Sequence, residues 1–507
     1  MDKISELLEV KPQFLQKEWH LVEINVGYAW KKNIKGKNVT VCVADDGIFY
    51  NPDIKIESTK VNPIIEDAEI MVKEQAYLHG TSIGGIVSGK GNKYMIGIAP
   101  ESKLVSYIIL GPLAESISKK YPYHKFILKN KDKIDIFNNS FGPQNEASPN
   151  VEEEQTFEIL KSIEIASHKG RCGKGNIFVF AAGNENVSGG LASYNLLINH
   201  RYTISVGAIN SNLDNSTYSN IGLGILCVAP AGRDQTLLYI AVRTPVPSSF
   251  DQFGITTTLP YSKDLAKKGL IPYTHDFNGT SAACPMVSGC VALLLEYRPD
   301  LTWRDVKEII SRSCYQDYYI NSTVPPEDFV FNGNNVLVSQ RSGYGIINVK
   351  KMIKNAKKWK LLPKEKNASA ESEINTTLNL NNKSFTIKLD ISKNMIIETV
   401  QVYLTVNSKP SVKPQLILNM DVCITSPMGT KLKLINNQVG FLQDPDFEVP
   451  EDLQYYDNEP FLCELLRGEK SQGQWKIEFK WNEVESIPDT ENILKYVKLD
   501  IYGHKKC

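Results

Sequence analysis

Four short stretches carry the side chains best suited to covalent chemistry. They are VCVADDGIFYNPD with Asp45 and Asp46, LHGTSIGGIVSG with His79, IFVFAAGNEN with Asn184, and NGTSAACPMVSG with Ser281. A serine hydroxyl is a weak nucleophile at neutral pH and needs an imidazole to take its proton as it attacks. The imidazole needs a carboxylate to fix its tautomer and stabilise the cation that forms. Asp45, His79 and Ser281 supply these three groups. Asn184, on a turn begun by Gly183, adds an amide that can donate to the oxyanion of a tetrahedral intermediate; losing such a donor costs about 10²–10³ in kcat. Taken singly, each residue is ordinary: a DG turn, a helix start, a helix cap, a turn residue. Taken together at strand ends and helix starts, they describe one acyl-transfer site.

These residues are placed by apolar runs at Val39–Ala44, Leu104–Leu110, Ile134–Asn138, Asn176–Ala182 and Thr203–Val206. Each run is nearly continuous, without in/out alternation, as in a parallel sheet covered on both faces. Helical periodicity at 157–167, 282–297 and 301–311 alternates with them, and Thr302 with Asp305 makes a capping-box-like start for the last. The pattern predicts a doubly wound α/β domain over 1–356, with ligands bound outside the carboxyl ends of the strands. Residues 357–378 are polar and charged and read as a linker. Beyond them, strand-like segments at Ser384–Ile391, Thr399–Val406, Gln415–Ile424, Trp475–Trp481 and Tyr496–Tyr502 predict an all-β sandwich or jelly roll over 379–507.

The chain has 507 residues, 57 basic and 57 acidic, so its formal charge is zero. That balance removes any general electrostatic case for nucleic acid as a partner. No apolar run reaches the roughly 18 residues of a membrane-spanning helix, and the N-terminus shows no signal-peptide pattern. Nine cysteines without a CxxC pair read as mostly reduced thiols rather than a disulfide framework or zinc site. The chain is expected to act as a monomer.

The order Asp, His, Ser and the blocks VADDGIFYNPD, HGT, NNSFGP, AAGN and NGTSAACP resemble the subtilisin-like serine proteases. The doubled Asp45-Asp46, the Ser140-Phe141-Gly142-Pro143 block, LTWRD at 301–305 and the opening KPQFLQKEWHL point within them to the kexin/furin-like proprotein convertases. ITSPMGTKL, RGEKSQGQW and VKLDIYG resemble that family's C-terminal P domain. The resemblance implies a seven-stranded parallel core, Asp45, His79 and Ser281 as catalytic triad, and Asn184 as oxyanion donor. It also implies that a substrate peptide or protein pairs with Ser140–Gly142 as an added strand, with Asp46 as a second-subsite acid. It implies a structural calcium, with Asp53 as one ligand and no catalytic metal, and residence in the secretory pathway.

Several positions depart from the family. Acids expected around the specificity pocket are replaced by Asn145, Ala192, Asn220 and Ala76; Glu146, Glu152, Glu153, Glu154 and Glu185 either compensate or form a solvated surface, the second reading being preferred. Cleavage after paired basic residues is therefore expected to be weakened or lost, since a buried cation needs a carboxylate partner. The first acid of the Asp53 calcium site is replaced by Lys11. Two alternatives stay open on the sequence: a catalytically idle peptide-binding scaffold, and a cytoplasmic subtilase for general turnover.

Overall fold

The apolar runs of the N-terminal two thirds become neighbouring strands of one parallel sheet. In the computed structural model of the chain, the described residues are 5–7, 11–57, 78–142, 154–233, 253–261, 267, 269, 271–316, 328–378, 384–408, 420–436, 455–481 and 492–505. The sheet contains Thr40–Asp45 (β1), Lys103–Ile108 (β2), Ile136–Asn139 (β3), Ile177–Ala181 (β4), Thr203–Ile209 (β5) and Ile225–Pro230 (β6). Its order is β2-β1-β3-β4-β5-β6, with every neighbouring pair parallel. Five strands lie where the sequence places them; β6 completes a sheet of six strands among the described residues, where the resemblance implies seven. From β1 the chain winds first to β2 and then back past β1 to β3. The topological switch point therefore lies between β1 and β3, where a crevice opens at the strands' carboxyl ends.

The helices that matter to the site are His79–Ser88 (α1), Tyr123–Asn130 (α2), Glu154–Gly173 (α3), Thr280–Tyr297 (α4), Trp303–Ser313 (α5) and Val349–Lys357 (α6). Helical geometry in α3 breaks at Gly170–Cys172. α4 packs against the face of β3–β6 and against α1. It is long and apolar enough to cross a membrane, yet 89% of it is buried within the protein as a core helix. The capping box at Thr302 and Asp305 forms as expected. A hairpin of Ile255–Thr258 (β7) and Tyr273–Phe277 (β8) leads into Ser281. Phe329–Phe331 (β9) and Leu337–Ser339 (β10) form a second small hairpin.

The C-terminal part folds into two four-stranded antiparallel sheets. One has the order β11-β18-β13-β16, from Lys366–Leu378, Asn492–His504, Ile396–Ser408 and Tyr455–Cys463; the other has the order β12-β17-β14-β15, from Ser384–Ile391, Gly473–Trp481, Met420–Thr425 and Lys431–Ile435. Alternating side chains such as Ile387, Leu389 and Ile391 are buried while their neighbours face water, the period-2 signature of a half-covered sheet. The linker reading fails over 366–378: polar as it is, this segment is β11 and pairs along β18. It lies at the edge of its sheet, where a strand needs few apolar residues.

The two parts meet through charge as well as apolar contact. Lys307 on α5 lies 2.8 Å from Glu464, and each side chain is 1% exposed. Arg467 bonds to Glu464 and to Glu308 of α5, while Arg304 pairs with Glu398 at 2.5 Å.

Candidate active site

Asp45 ends β1 fully buried at the switch point, and His79 opens α1 opposite it. His79 Nδ1 lies 2.8 Å from Asp45 Oδ1. An ionised carboxylate can only accept, so the proton of this bond belongs to Nδ1 and the lone pair of Nε2 is left free. Asp45 Oδ1 also accepts the Asp46 N–H at 2.8 Å, while Oδ2 is buried without a partner among the described residues. Burial works against a charged imidazole, but facing Asp45, with Asp46 behind it, outweighs burial and raises His79 above its usual pKa. The ring keeps an exposed edge, at 34% for the side chain, and the Phe277 ring flanks it at 5.4 Å.

The close approach of α1 to β1 requires glycine at position 80. A Cβ there would overlap the Gly47 carbonyl and lie 2.9 Å from Asp46 Oδ1 and 3.1 Å from Asp45 Cβ. Asp46 uses this proximity, since its two oxygens accept the N–H groups of His79 at 3.0 Å and Gly80 at 2.6 Å. Both donors are left unpaired by the helix itself, so Asp46 caps α1 from outside. Burial, reinforced by Asp45, nevertheless pushes Asp46 up to about 7.

Ser281 stands in the first turn of α4, half-buried, after Gly279 at φ +87°. Pro285 lies inside the same helix and lacks the N–H that would bond the Ser281 carbonyl four residues earlier. The Ser140 hydroxyl donates to that carbonyl at 3.2 Å and is itself bonded by Asn138 Nδ2 at 3.1 Å. The segment that follows β3 is thereby tied to the residue expected to be the nucleophile.

Asn184 follows β4. Its Oδ1 accepts the Thr280 N–H at 2.8 Å and the Thr280 hydroxyl at 2.9 Å. Two donors on the oxygen fix the amide's orientation and leave Nδ2 as its free donor end. Thr280 escapes a sequence reading centred on Ser281, although the GTS triplet contains it. A cavity of about 280 Å³ is lined by His79, Leu110, Ser140, Phe141, Gly142, Ala181, Gly183, Asn184, Glu185, Thr280 and Ser281. It gathers seven residues from three of the four quoted stretches and the three residues of the SFG block.

Other expected residues fare differently. Asn145 and Ala76 lie outside the described residues. Glu185, half-buried, lines the cavity, and its Oε2 accepts the Asn184 N–H at 2.7 Å and Asn220 Nδ2 at 3.1 Å. Asn220 Oδ1 returns the bond by accepting the Glu185 N–H at 2.8 Å. Asp53 is buried, away from the cavity lining, among backbone donors of 93–95. Among the described residues, no group of three or more His, Cys, Asp or Glu is placed to hold a metal. All eight described cysteines are free.

Known proteins resemble this chain over most of its length. The subtilase family model, Peptidase S8, matches residues 36–345. Proprotein convertase subtilisin/kexin type 6 of Homo sapiens is 28% identical over 95% of this chain and 46% of its own length. The dibasic-processing endoprotease of Yarrowia lipolytica is 25% identical over 98% of this chain and 48% of its own. A calcium-dependent protease of Nostoc sp. is 28% identical over 68% of this chain and 52% of its own. The chain thus spans about half the length of these relatives. The solved serine protease of Aeromonas sobria superposes with a TM-score of 0.78 over 98% of this chain and 96% of its own at 19% identity, a likeness of fold. With the family model covering more than half the sequence, the chain belongs to the subtilase family.

Proposed function

We propose that the chain is a serine endopeptidase that cleaves peptide bonds through an acyl-enzyme on Ser281. The observation that carries this reading is the 2.8 Å Asp45–His79 bond on the wall of a cavity that also holds Ser281 and Asn184. His79 Nε2 takes the Ser281 proton as the hydroxyl attacks the substrate carbonyl. Asp45 holds the imidazole in the required tautomer and steadies the cation. Asn184 Nδ2, together with the Ser281 backbone N–H, donates to the oxyanion. His79 then returns the proton to the leaving amine, and water repeats the cycle on the ester. The substrate strand lies along Ser140–Gly142.

One relative is named a proprotein convertase and another a dibasic-processing endoprotease. For this chain the proposal is narrower. Glu185 is the acid among the described cavity residues, and its Oε2 already takes Asn184 N–H and Asn220 Nδ2. Selectivity for paired basic residues is therefore reduced. We take the two C-terminal sheets to be the family's P domain, beginning at β11. This reading rests on the ITSPMGTKL, RGEKSQGQW and VKLDIYG segments and on the paired antiparallel sheets.

A fluorophosphonate probe tests the core of the proposal. The purified chain should be labelled, and Ser281→Ala and His79→Ala should not be. A folded wild-type chain that resists labelling would refute it. Digestion of a peptide library should show no dominant arginine at the cut position.

A further inference from the structure

Asp53 follows β1 by eight residues and is fully buried. Its carboxylate is crowded with donors. Oδ1 accepts the Lys93 N–H at 2.9 Å, and Oδ2 accepts the N–H groups of Tyr94 at 2.8 Å and Met95 at 3.2 Å. The Tyr273 hydroxyl lies 2.9 Å from the same Oδ2 and 3.0 Å from Asn51 Oδ1. Oδ2 faces three of these donors and Oδ1 one, so hydrogens of N–H and O–H groups, not lone pairs, surround this carboxylate. Three successive backbone amides converging on one acid form an anion-binding nest.

A structural calcium needs the opposite surroundings. It takes six to eight oxygens at about 2.3–2.6 Å, so it must face lone pairs and not N–H hydrogens. Lys11, exposed, stands where the resemblance calls for the first acid. The neighbouring buried acid is Glu18, which accepts the Ile96 N–H at 3.1 Å. Burial first, and then the nearness of Asp53, raise Glu18 well above the carboxylate range. Both Glu18 oxygens face the Ile96 N–H, as the Asp53 oxygens face the 93–95 amides.

We propose that hydrogen bonds replace the cation at Asp53: the 93–95 amides and the Tyr273 hydroxyl hold this carboxylate as a metal-free anchor. The anchor joins parts that matter to the site. Tyr273 opens β8, the strand that carries Phe277 beside His79. Its hairpin partner β7 sends the Thr257 and Thr258 hydroxyls to the Ser82 and Thr81 carbonyls of α1 at 2.5 and 2.7 Å. Around the anchor, Phe14 stacks on Tyr94 at 5.4 Å, and Tyr94 meets Tyr273 at 4.6 Å. Asn51 completes it by accepting the Asp53 N–H and donating to Leu259 and Pro272 carbonyls. The loop after β1, loop 91–97 and the β7–β8 hairpin are thus clamped without an ion.

Thermal melting of the purified full chain in EGTA and in millimolar calcium chloride tests this, with wild type, Asp53→Asn and Tyr273→Phe compared. Wild type should melt at the same temperature in both buffers. Tyr273→Phe should melt roughly 2–4 °C lower in both, as expected for losing a hydrogen bond to a charged acceptor in a domain of this size. An EGTA-induced fall shared equally by wild type and Asp53→Asn would place a metal elsewhere and leave the anchor as described. An EGTA-induced fall that disappears in Asp53→Asn would overturn the proposal, as would a Tyr273→Phe chain as stable as wild type. Should Asp53→Asn fail to fold, calorimetric titration of calcium into wild type and Tyr273→Phe decides. Calcium binding by Tyr273→Phe alone would bear the proposal out, and binding by wild type that tightens when the hydroxyl is removed would overturn it.

Discussion

Replacing Asp46 by asparagine sets two physical effects against each other. The two N–H groups of His79 and Gly80 favour an ionised acceptor, whereas burial and the adjacent Asp45 favour a neutral one, and the balance lifts the group to about 7. A carboxyl whose folded pKa lies above its unfolded value of 3.8 contributes stability that is complete below 3.8 and is lost as pH rises through about 7. Between pH 5 and 8 that loss spans about two pKa units, or about 2–3 kcal/mol at about 1.4 kcal/mol per unit. Asparagine mimics the neutral acid and has no such slope. Asparagine's Nδ2 cannot accept one of the two N–H groups, a loss that is the same at every pH, so Asp46→Asn should gain on wild type by roughly 3–4 °C in melting temperature between pH 5 and pH 8. The pH profile of kcat/KM gives a second readout. Asp46 helps to raise His79, so the acid limb should lie above 6.5 in wild type and move to lower pH in the variant. Differential scanning calorimetry at four pH values, with a chromogenic peptide assay, measures both. A wild type that gains stability over Asp46→Asn as pH rises would refute the reasoning, because it would mean the helix amides outweigh burial and hold Asp46 ionised.

Other outcomes follow from the same geometry. Asn184→Ala should lose about 10²–10³ in kcat with KM little changed, because its amide acts only on the developing oxyanion; a rise in KM alone would contradict this role. Gly80→Ala should fold, by far-UV circular dichroism, but lose about 10²-fold or more in kcat/KM, because the new Cβ displaces His79 from Asp45. Glu464→Gln should cost about 3–5 kcal/mol in urea unfolding, since it strands Lys307 and Arg467 without their carboxylate.

Much of the site was legible because its chemistry demands particular side chains at strand ends. Asp45, His79, Asn184 and Ser281 each follow or precede an apolar run, and the sheet order brings those ends to one crevice. The supporting contacts were not legible. Nothing in a string of letters says that the Ser140 hydroxyl meets the carbonyl that Pro285 leaves free, since that bond spans 141 residues. Glu185 looked like surface because acids usually are, whereas its neighbours Asn184 and Asn220 draw it to the cavity. β11 was hidden because KNASAESEINTTL has almost no apolar period; its strand form comes from pairing with β18. Asp53 could be read as an acid of interest but not as one ringed by donors, because these are mostly backbone amides that any sequence carries.

The charges buried where α5 meets the C-terminal sheets bear on how this protein can be cut and recombined. Lys307 and Glu464 sit in different halves of the molecule, each answering the other's charge in a place water does not reach. A shortened chain ending before β11 would leave an ammonium on α5 with no counter-ion, and a transplanted C-terminal half would arrive with a carboxylate and no ammonium. Chimaeras spliced at this joint should therefore survive only when both members of the pair travel together, so the two halves are free to diverge in sequence yet bound to inherit as one.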